Sequence, residues 1–227
     1  MHGEEIEITP DQAIFFEAGF FKLNATIVMT WVVMLVLVIG SILITRRLTS
    51  STKIPRWQNL VETIMSALRN QIREISEQNP DPYVPFVGTL FLFILVSNVL
   101  APIPIYEPPT GSLSLTAALS LSVFFAVPIF GIRARGFVGY LGNYTKPFFF
   151  MAPLHAISEL SRTVSLAMRL FGNVMSEGLI VALLLSIVPF VLPVVMEALG
   201  LLMGTIQAYI FAILTTVYIA AGTSGGH

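Results

Sequence analysis

Long uncharged apolar runs alternate with short charged breaks along most of the chain. From Leu23 to Thr45 no charge interrupts the sequence, and Trp31–Ile44 reads WVVMLVLVIGSILI. A membrane-spanning helix needs about 20 mostly apolar residues, so 23–45 is expected to be the first one. It runs into Arg46 and Arg47, with Lys53 and Arg56 close behind. Basic residues are retained in the cytoplasm, so this end is expected inside and residues 1–22 outside.

Residues 55–78 follow a different period. Trp57, Leu60, Val61, Ile64, Leu68, Ile72 and Ile75 recur in steps that keep one helix face apolar, while Glu62, Arg69, Arg73, Glu74 and Glu77 lie between them. The pattern predicts an amphipathic helix at the cytoplasmic membrane surface; packing on a partner protein suits it equally. Asn79-Pro80-Asp81-Pro82 ends it. Residues 86–132 then read as a two-helix hairpin, with spans Phe86–Ala101 and Ser112–Ile132 joined by a loop holding Pro102, Pro104, Pro108 and Pro109. Arg133, Arg135 and Lys146 follow without an acid, again marking the inside, and Gly136–Pro147 reads as a cytoplasmic linker. Residues 153–222 form the last unit, two long helices turning at Pro189 and Pro193 and returning the C-terminus to the cytoplasm. The fold class expected is an all-α integral membrane protein, with about five membrane helices and one surface helix.

Composition supports the same class. Of 227 residues, 55% are hydrophobic and 11% charged, against about 25% charged in soluble domains, and the mean hydropathy is +0.83. The absence of cysteine excludes disulfides and thiolate metal sites. A net charge of −1 gives no electrostatic pull on nucleic acid. No glycine-lysine phosphate loop is present. The start of the chain carries Glu4, Glu5, Glu7, Asp11 and Glu17 against Lys22. That is unlike a cleavable signal and reads as a solvated acidic tail. No internal repeat is visible, which disfavours an inverted-repeat secondary transporter; a purely structural anchor is the other rival.

The candidate chemistry lies in the last two helices. His155, Glu159, Arg162, Arg169, Asn173 and Glu177 stay near one helix face, with Ser158, Ser161 and Ser165 beside them. From 155 to 177 a helix rises about 33 Å, close to the thickness of a bilayer core. A charge at mid-membrane costs about 2.5–3.5 kcal/mol on insertion scales, so these groups need a purpose or a partner. Glu159 and Arg162, at i and i+3, also suit a static ion pair. Arg169 is harder to account for. A guanidinium stays protonated, and no acid lies within four residues of it, so its partner is expected from elsewhere. On the final helix Glu197, Gly200, Gly204, Gln207, Phe211 and Thr215 make a thinner stripe. Gln207 needs hydrogen-bond partners if buried, the glycines permit close helix approach, and Glu197 also suits a turn residue near Pro193.

The run SRTVSLAMRLFGNVMSEGLIVALLL from Ser161, with GTIQAYIFAILTTVYIAAG from Gly204, resembles subunit a of the rotary F-type ATP synthases. Ser97-Asn98 and Pro108-Pro109-Thr110 extend the likeness to roughly 86–222. The resemblance implies a stator subunit that forms two ion half-channels and couples ion flow to rotation of the neighbouring c-ring, with ATP chemistry on other subunits. Arg169 then takes the place of the essential arginine facing the ring carboxylate, and Asn173 follows it in the motif. Gln207 is the last-helix residue beside that arginine. Arg162 stands where a lysine is common. Glu177 is shifted by one position from the usual half-channel acid, which rotates it by about 100°. Gly200 stands where an acid or histidine is frequent, with Glu197 one turn away as a substitute. Ser112 and Ser114 replace polar loop residues, leaving Asn98 and Glu107 to line the outer water path. Glu159 and His155 complete the candidate ion pathway. The family further implies last helices strongly tilted around the ring, no cofactor, and a proton as transported ion, with sodium the alternative. Its partners are the c-ring subunits, the b-subunit peripheral stalk, the rest of the complex and the lipid bilayer. The bacterial inner membrane is the implied location.

Overall fold

The computed structural model describes residues 14–18, 21–46, 56–76, 81–103, 106–144, 151–187 and 191–223. The acidic positions before Ile14, Arg47, Lys53, Glu77, residues 145–150, Pro189 and His227 lie outside them. Two short strands, β1 (Ile14–Ala18) and β2 (Phe21–Asn24), open the described chain. Helices α1 (Ala25–Arg46), α2 (Arg56–Ser76), α3 (Val84–Val99), α4 (Leu113–Tyr144), α5 (Met151–Ile187) and α6 (Val191–Thr223) follow, with a 3-10 turn at Pro109–Gly111 between α3 and α4.

The architecture is an all-α membrane fold. By length and composition α1, α4, α5 and α6 are each able to cross a bilayer, and the apolar α3 is shorter. Its 16 residues rise about 24 Å, less than the roughly 30 Å hydrocarbon layer. Helix α1 exposes nearly its whole apolar surface, Trp31 and Leu35 included. Such a surface is stable only against lipid or other protein.

The β-ribbon was not anticipated. Residues 14–18 and 21–24 pair antiparallel, Glu17 with Lys22 and Ala18 with Phe21, with an irregularity between Ile14 and Phe16. Read by charge, this stretch is a solvated tail; its Ile14-Phe15-Phe16 and Phe20-Phe21 runs carry strand preference.

Two compact units make up the chain. The first comprises residues 1–37, 92–118 and 167–208. Its interior is unusually polar: Ser97, Asn98, Thr110, Ser112, Thr116 and Gln207 are all buried. The hydroxyl of Thr116 turns back to the Ser112 carbonyl at 3.1 Å, the local solution open to threonine in a helix. Tyr106, in the loop after α3, is half-buried and within 3.2 Å of the Ser97 hydroxyl. Burial pushes its phenol up to about 12 from the ordinary 10.0, the Ser97 hydrogen bond pulling slightly the other way.

The second unit comprises residues 38–91, 119–166 and 209–227. Here α2 packs on α3: its Leu68 and Ile72 are buried, and Met65 and Leu68 lie over Gly88. Part of the apolar face assigned to membrane or partner is therefore used inside the chain, while Glu62, Arg69 and Arg73 remain exposed. Arg69 pairs with Asp81 across the turn before α3, an exposed pair worth about 0–1 kcal/mol. Edge-to-face packing of Tyr83 on Phe130, with centroids 5.2 Å apart, joins the turn before α3 to α4. Gly222 of α6 receives Val127 of α4, whose Cγ1 would lie 2.8 Å from an added Cβ. Thr215, Thr216 and Thr223 bond the carbonyls of Phe211, Ala212 and Ile219 at 2.8, 2.9 and 3.0 Å.

The region read as a linker from Gly136 is helical as far as Tyr144, but Gly136 itself breaks α4, with φ 77° and ψ 162°. That combination is open essentially to glycine alone. Gly136→Ala is expected to cost about 1–3 kcal/mol, whereas Gly40→Ala, at a site with open space around it, is expected to gain up to about 1 kcal/mol; thermal unfolding of the purified protein in detergent reads both. The raised Tyr106 value has a sign. The protonated phenol's contribution is fully present below pH 10 and lost as pH rises through about 12. Tyr106→Phe should flatten the fall in melting temperature over that interval, and an unchanged fall would show that Tyr106 is not its source.

Candidate ion-pathway site

Helix α5 is held by Leu166 and Leu170, both buried. Arg169 lies between them in sequence but on the open side, at the midpoint of α5, eighteen residues from either end. Around it the exposed positions are Met168 and the small Ser161, Ser165 and Ser176, together with the polar Asn173 one turn on and Arg162 two turns back. Among the described residues Arg169 makes no hydrogen bond or ion pair. A guanidinium at the middle of a spanning helix is expensive to leave so, and the small residues flanking it leave room for another helix to come close.

One turn on, Asn173 donates from Nδ2 to Gln207 Oε1 at 2.8 Å. This bond ties α5 to α6 within the first unit. Gln207 is 2% exposed, and its Nε2 has no acceptor among the described residues. The expectation that this amide needs partners is half met: Asn173 uses the carbonyl end.

Glu177 is half-buried, and its carboxylate occupies the space that a Cβ on Gly200 would fill. The one-position shift of the acid along α5 is thus matched by a missing side chain on α6. Glu197 is half-buried and near enough to Glu177 to repel it electrostatically. Asn98 of α3 is 5% exposed. It donates from Nδ2 to the Gly204 carbonyl at 3.1 Å and accepts from Thr110 Oγ1 at 2.9 Å. Ser112 and Ser114 bond each other at 2.6 Å, and Glu107 is exposed.

The second unit holds a cavity of about 230 Å³. Its polar wall brings together His155, Ser158, Glu159, Arg162 and Thr163 of α5 with Tyr218 of α6. The apolar wall comes from Val123, Phe124 and Val127 of α4. Arg162 places its guanidinium carbon 5.6 Å from the centre of the Tyr218 ring, a cation–π contact worth about 0.5–2 kcal/mol depending on solvation. Tyr218 and Thr110 are the residues whose parts sequence reasoning missed. Tyr218 showed only as a tyrosine near the C-terminus, and Thr110 only as the end of a Pro-Pro-Thr run. Among the described residues no cluster of three or more histidines or acids is placed to hold a metal ion.

A family described as ATP synthase A chain matches residues 27–220. The chain belongs to that family. Over 220 residues it is 55% identical to ATP synthase subunit a of Albidiferax ferrireducens, covering 97% of this chain and 95% of that one. It is 56% identical over 218 residues to ATP synthase subunit a 2 of Acaryochloris marina, covering 96% and 93%. ATP synthase subunit a 1 of Chlorobaculum parvum is 55% identical over 218 residues, with 96% of each chain covered. The chain is therefore a multi-pass membrane protein and the non-catalytic, ion-conducting stator subunit of an ATP synthase.

The Glu177–Gly200 fit yields a direct test. Gly200→Ala displaces the flexible carboxylate end of Glu177 from that space and is expected to cost up to about 1 kcal/mol, at or below the low end of the range for overpacking. A Glu177→Ala, Gly200→Ala double variant removes the overlap and should recover that loss. Thermal inactivation of the assembled complex measures both, and a double variant no more stable than Gly200→Ala would refute the fit.

Proposed function

We propose that Arg169 is the fixed cation at which an ion-carrying carboxylate of a rotating ring of c-subunits is discharged. The supporting observation is its placement at mid-helix on an exposed face of α5, flanked by the small Ser165 and Ser176, with no ion pair among the described residues. A fixed positive charge favours the ionised form of an approaching acid. It makes the carboxylate release its proton and repels a free cation from crossing directly. Each carboxylate then reloads and passes through lipid neutral. One elementary charge moving through 100 mV supplies about 2.3 kcal/mol, so several ions are needed for each ATP.

The other polar groups fall into two sets. In the first unit Glu177, Glu197, Asn173 and Gln207 supply the half-channel on the outer side, with the Asn98 network beside α6. In the second unit the cavity of His155, Ser158, Glu159 and Arg162 supplies the cytoplasmic half-channel, its hydroxyls and charged groups being suited to hold water. The basic residues Arg46, Arg56, Arg133 and Arg135 support an outside N-terminus and a cytoplasmic C-terminus. The names of the relatives support a bacterial inner membrane. The exposed α1 surface is suited to lipid or to a b-type stalk subunit. The coupling ion in this reading is the proton, with sodium the alternative; selectivity between them would reside on the ring carboxylate.

Arg169→Ala is expected to abolish ATP synthesis driven by a proton gradient in membrane vesicles, with the complex still assembled. Arg169→Lys should also fail, because a buried lysine is able to lose its proton where arginine is not. Parent-level rates in either variant would overturn the assignment. Synthesis driven equally by a pH gradient with and without sodium identifies the proton; a strict sodium requirement identifies the alternative.

A further inference from the structure

Asn98 was placed in the outer water path on sequence grounds, yet its geometry is that of a tether. Its side chain is 5% exposed. The oxygen accepts from Thr110 and the nitrogen donates to Gly204. The bond to Gly204 reaches a main-chain carbonyl, so it fixes the height and rotation of α6 itself and not only a side chain. Glycine is required at that point. A Cβ on Gly204 would lie 2.7 Å from Asn98 Cβ and 3.1 Å from Nδ2, so α3 meets α6 at backbone distance.

Both ends of the tether lead to defined structure. Thr110 is wholly buried in the 3-10 turn Pro109–Gly111, which is closed by Gly111 N–H to Pro108 O at 2.9 Å and Ser112 N–H to Pro109 O at 3.1 Å. The adjacent Ser97 meets Tyr106 of the same loop at 3.2 Å, a second link between α3 and that loop. At the other end, Gln207 follows Gly204 by three residues, about 4.5 Å along α6 and near the same face. Gln207 accepts from Asn173, which follows Arg169 by four residues on one face of α5.

We infer that Asn98 is a positioning residue: held by Thr110, it fixes α6 at Gly204 and so sets the Gln207–Asn173 bond beside Arg169. A neutral amide with its oxygen and one N–H committed in a buried place neither titrates nor passes an ion along. The inference rests on the reading of Arg169 given above.

The test compares Asn98→Asp, Asn98→Ala, Thr110→Val and Thr110→Ser in the whole complex. Proton-driven ATP synthesis and ATP-driven pumping are measured in vesicles from pH 6 to 9, normalised to assembled complex. Aspartate keeps the shape and the Thr110 acceptor, and it donates to Gly204 only while protonated; valine keeps the shape of threonine but loses its donor. Asn98→Ala and Thr110→Val should each lower the coupled rate by about fivefold or more, the factor for one net hydrogen bond, with an unmoved pH profile, and Asn98→Asp should fall as far wherever its carboxyl is ionised. Thr110→Ser should stay within about twofold of the parent. An Asn98→Ala variant at the parent rate overturns the inference, and one with a displaced pH profile places Asn98 in the ion path and overturns it too. So does Thr110→Val matching Thr110→Ser. Failure of all four to assemble also counts against it, because general folding then accounts for the network. Should Arg169→Ala be inactive while this series behaves as parent, only the inference falls; an active Arg169→Ala removes the reading beneath it.

Discussion

A permanent positive charge at the middle of a membrane helix, with no acid of its own chain among the described residues, is the constraint on which the structure depends. Arginine at that depth is tolerated only where water or a carboxylate reaches it. The surrounding choices follow from this need. Leu166 and Leu170 anchor α5 on its inner side, Ser161, Ser165 and Ser176 keep the outer side low, and Asn173 is joined to Gln207. The arginine is left open toward a partner while the helix that carries it is fixed.

Helix α6 does the fixing, and it does so largely by lacking side chains. Gly200 gives its space to Glu177, Gly204 gives its space to Asn98, and in the second unit Gly222 receives Val127. In a membrane, apolar surface gains nothing from leaving lipid for protein, so helix association relies on close packing and on hydrogen bonds between helices. Polar burial in the first unit fits that rule. Asn98, Thr110 and Gln207 are inside while Leu35, Leu160 and Leu183 are outside, the inverse of a soluble core.

The fold class was legible because long uncharged runs leave little choice in a bilayer, as 23–45 illustrates. Arg169 was legible because guanidinium cannot become neutral. Pairing was another matter. The contact of Arg162 with Tyr218 lies on another helix, where no local period reveals it. The Glu177 shift looked like a change of facing until Gly200 appeared opposite it; a glycine in sequence says that something comes close without saying what. The β1–β2 ribbon was hidden behind its acidic neighbours, and the helical course of 137–144 behind its glycines.

The chain contains no cysteine, which allows the central claim to be tested by disulfide trapping in the assembled synthase. Single cysteines at Ser165 or Ser176, flanking Arg169, are paired with a cysteine next to the ring carboxylate. The account predicts cross-links from both positions and none from the buried Ala212. Absence of cross-links at 165 and 176, with efficient ones from a cysteine on the α1 surface such as Leu35→Cys, would contradict it.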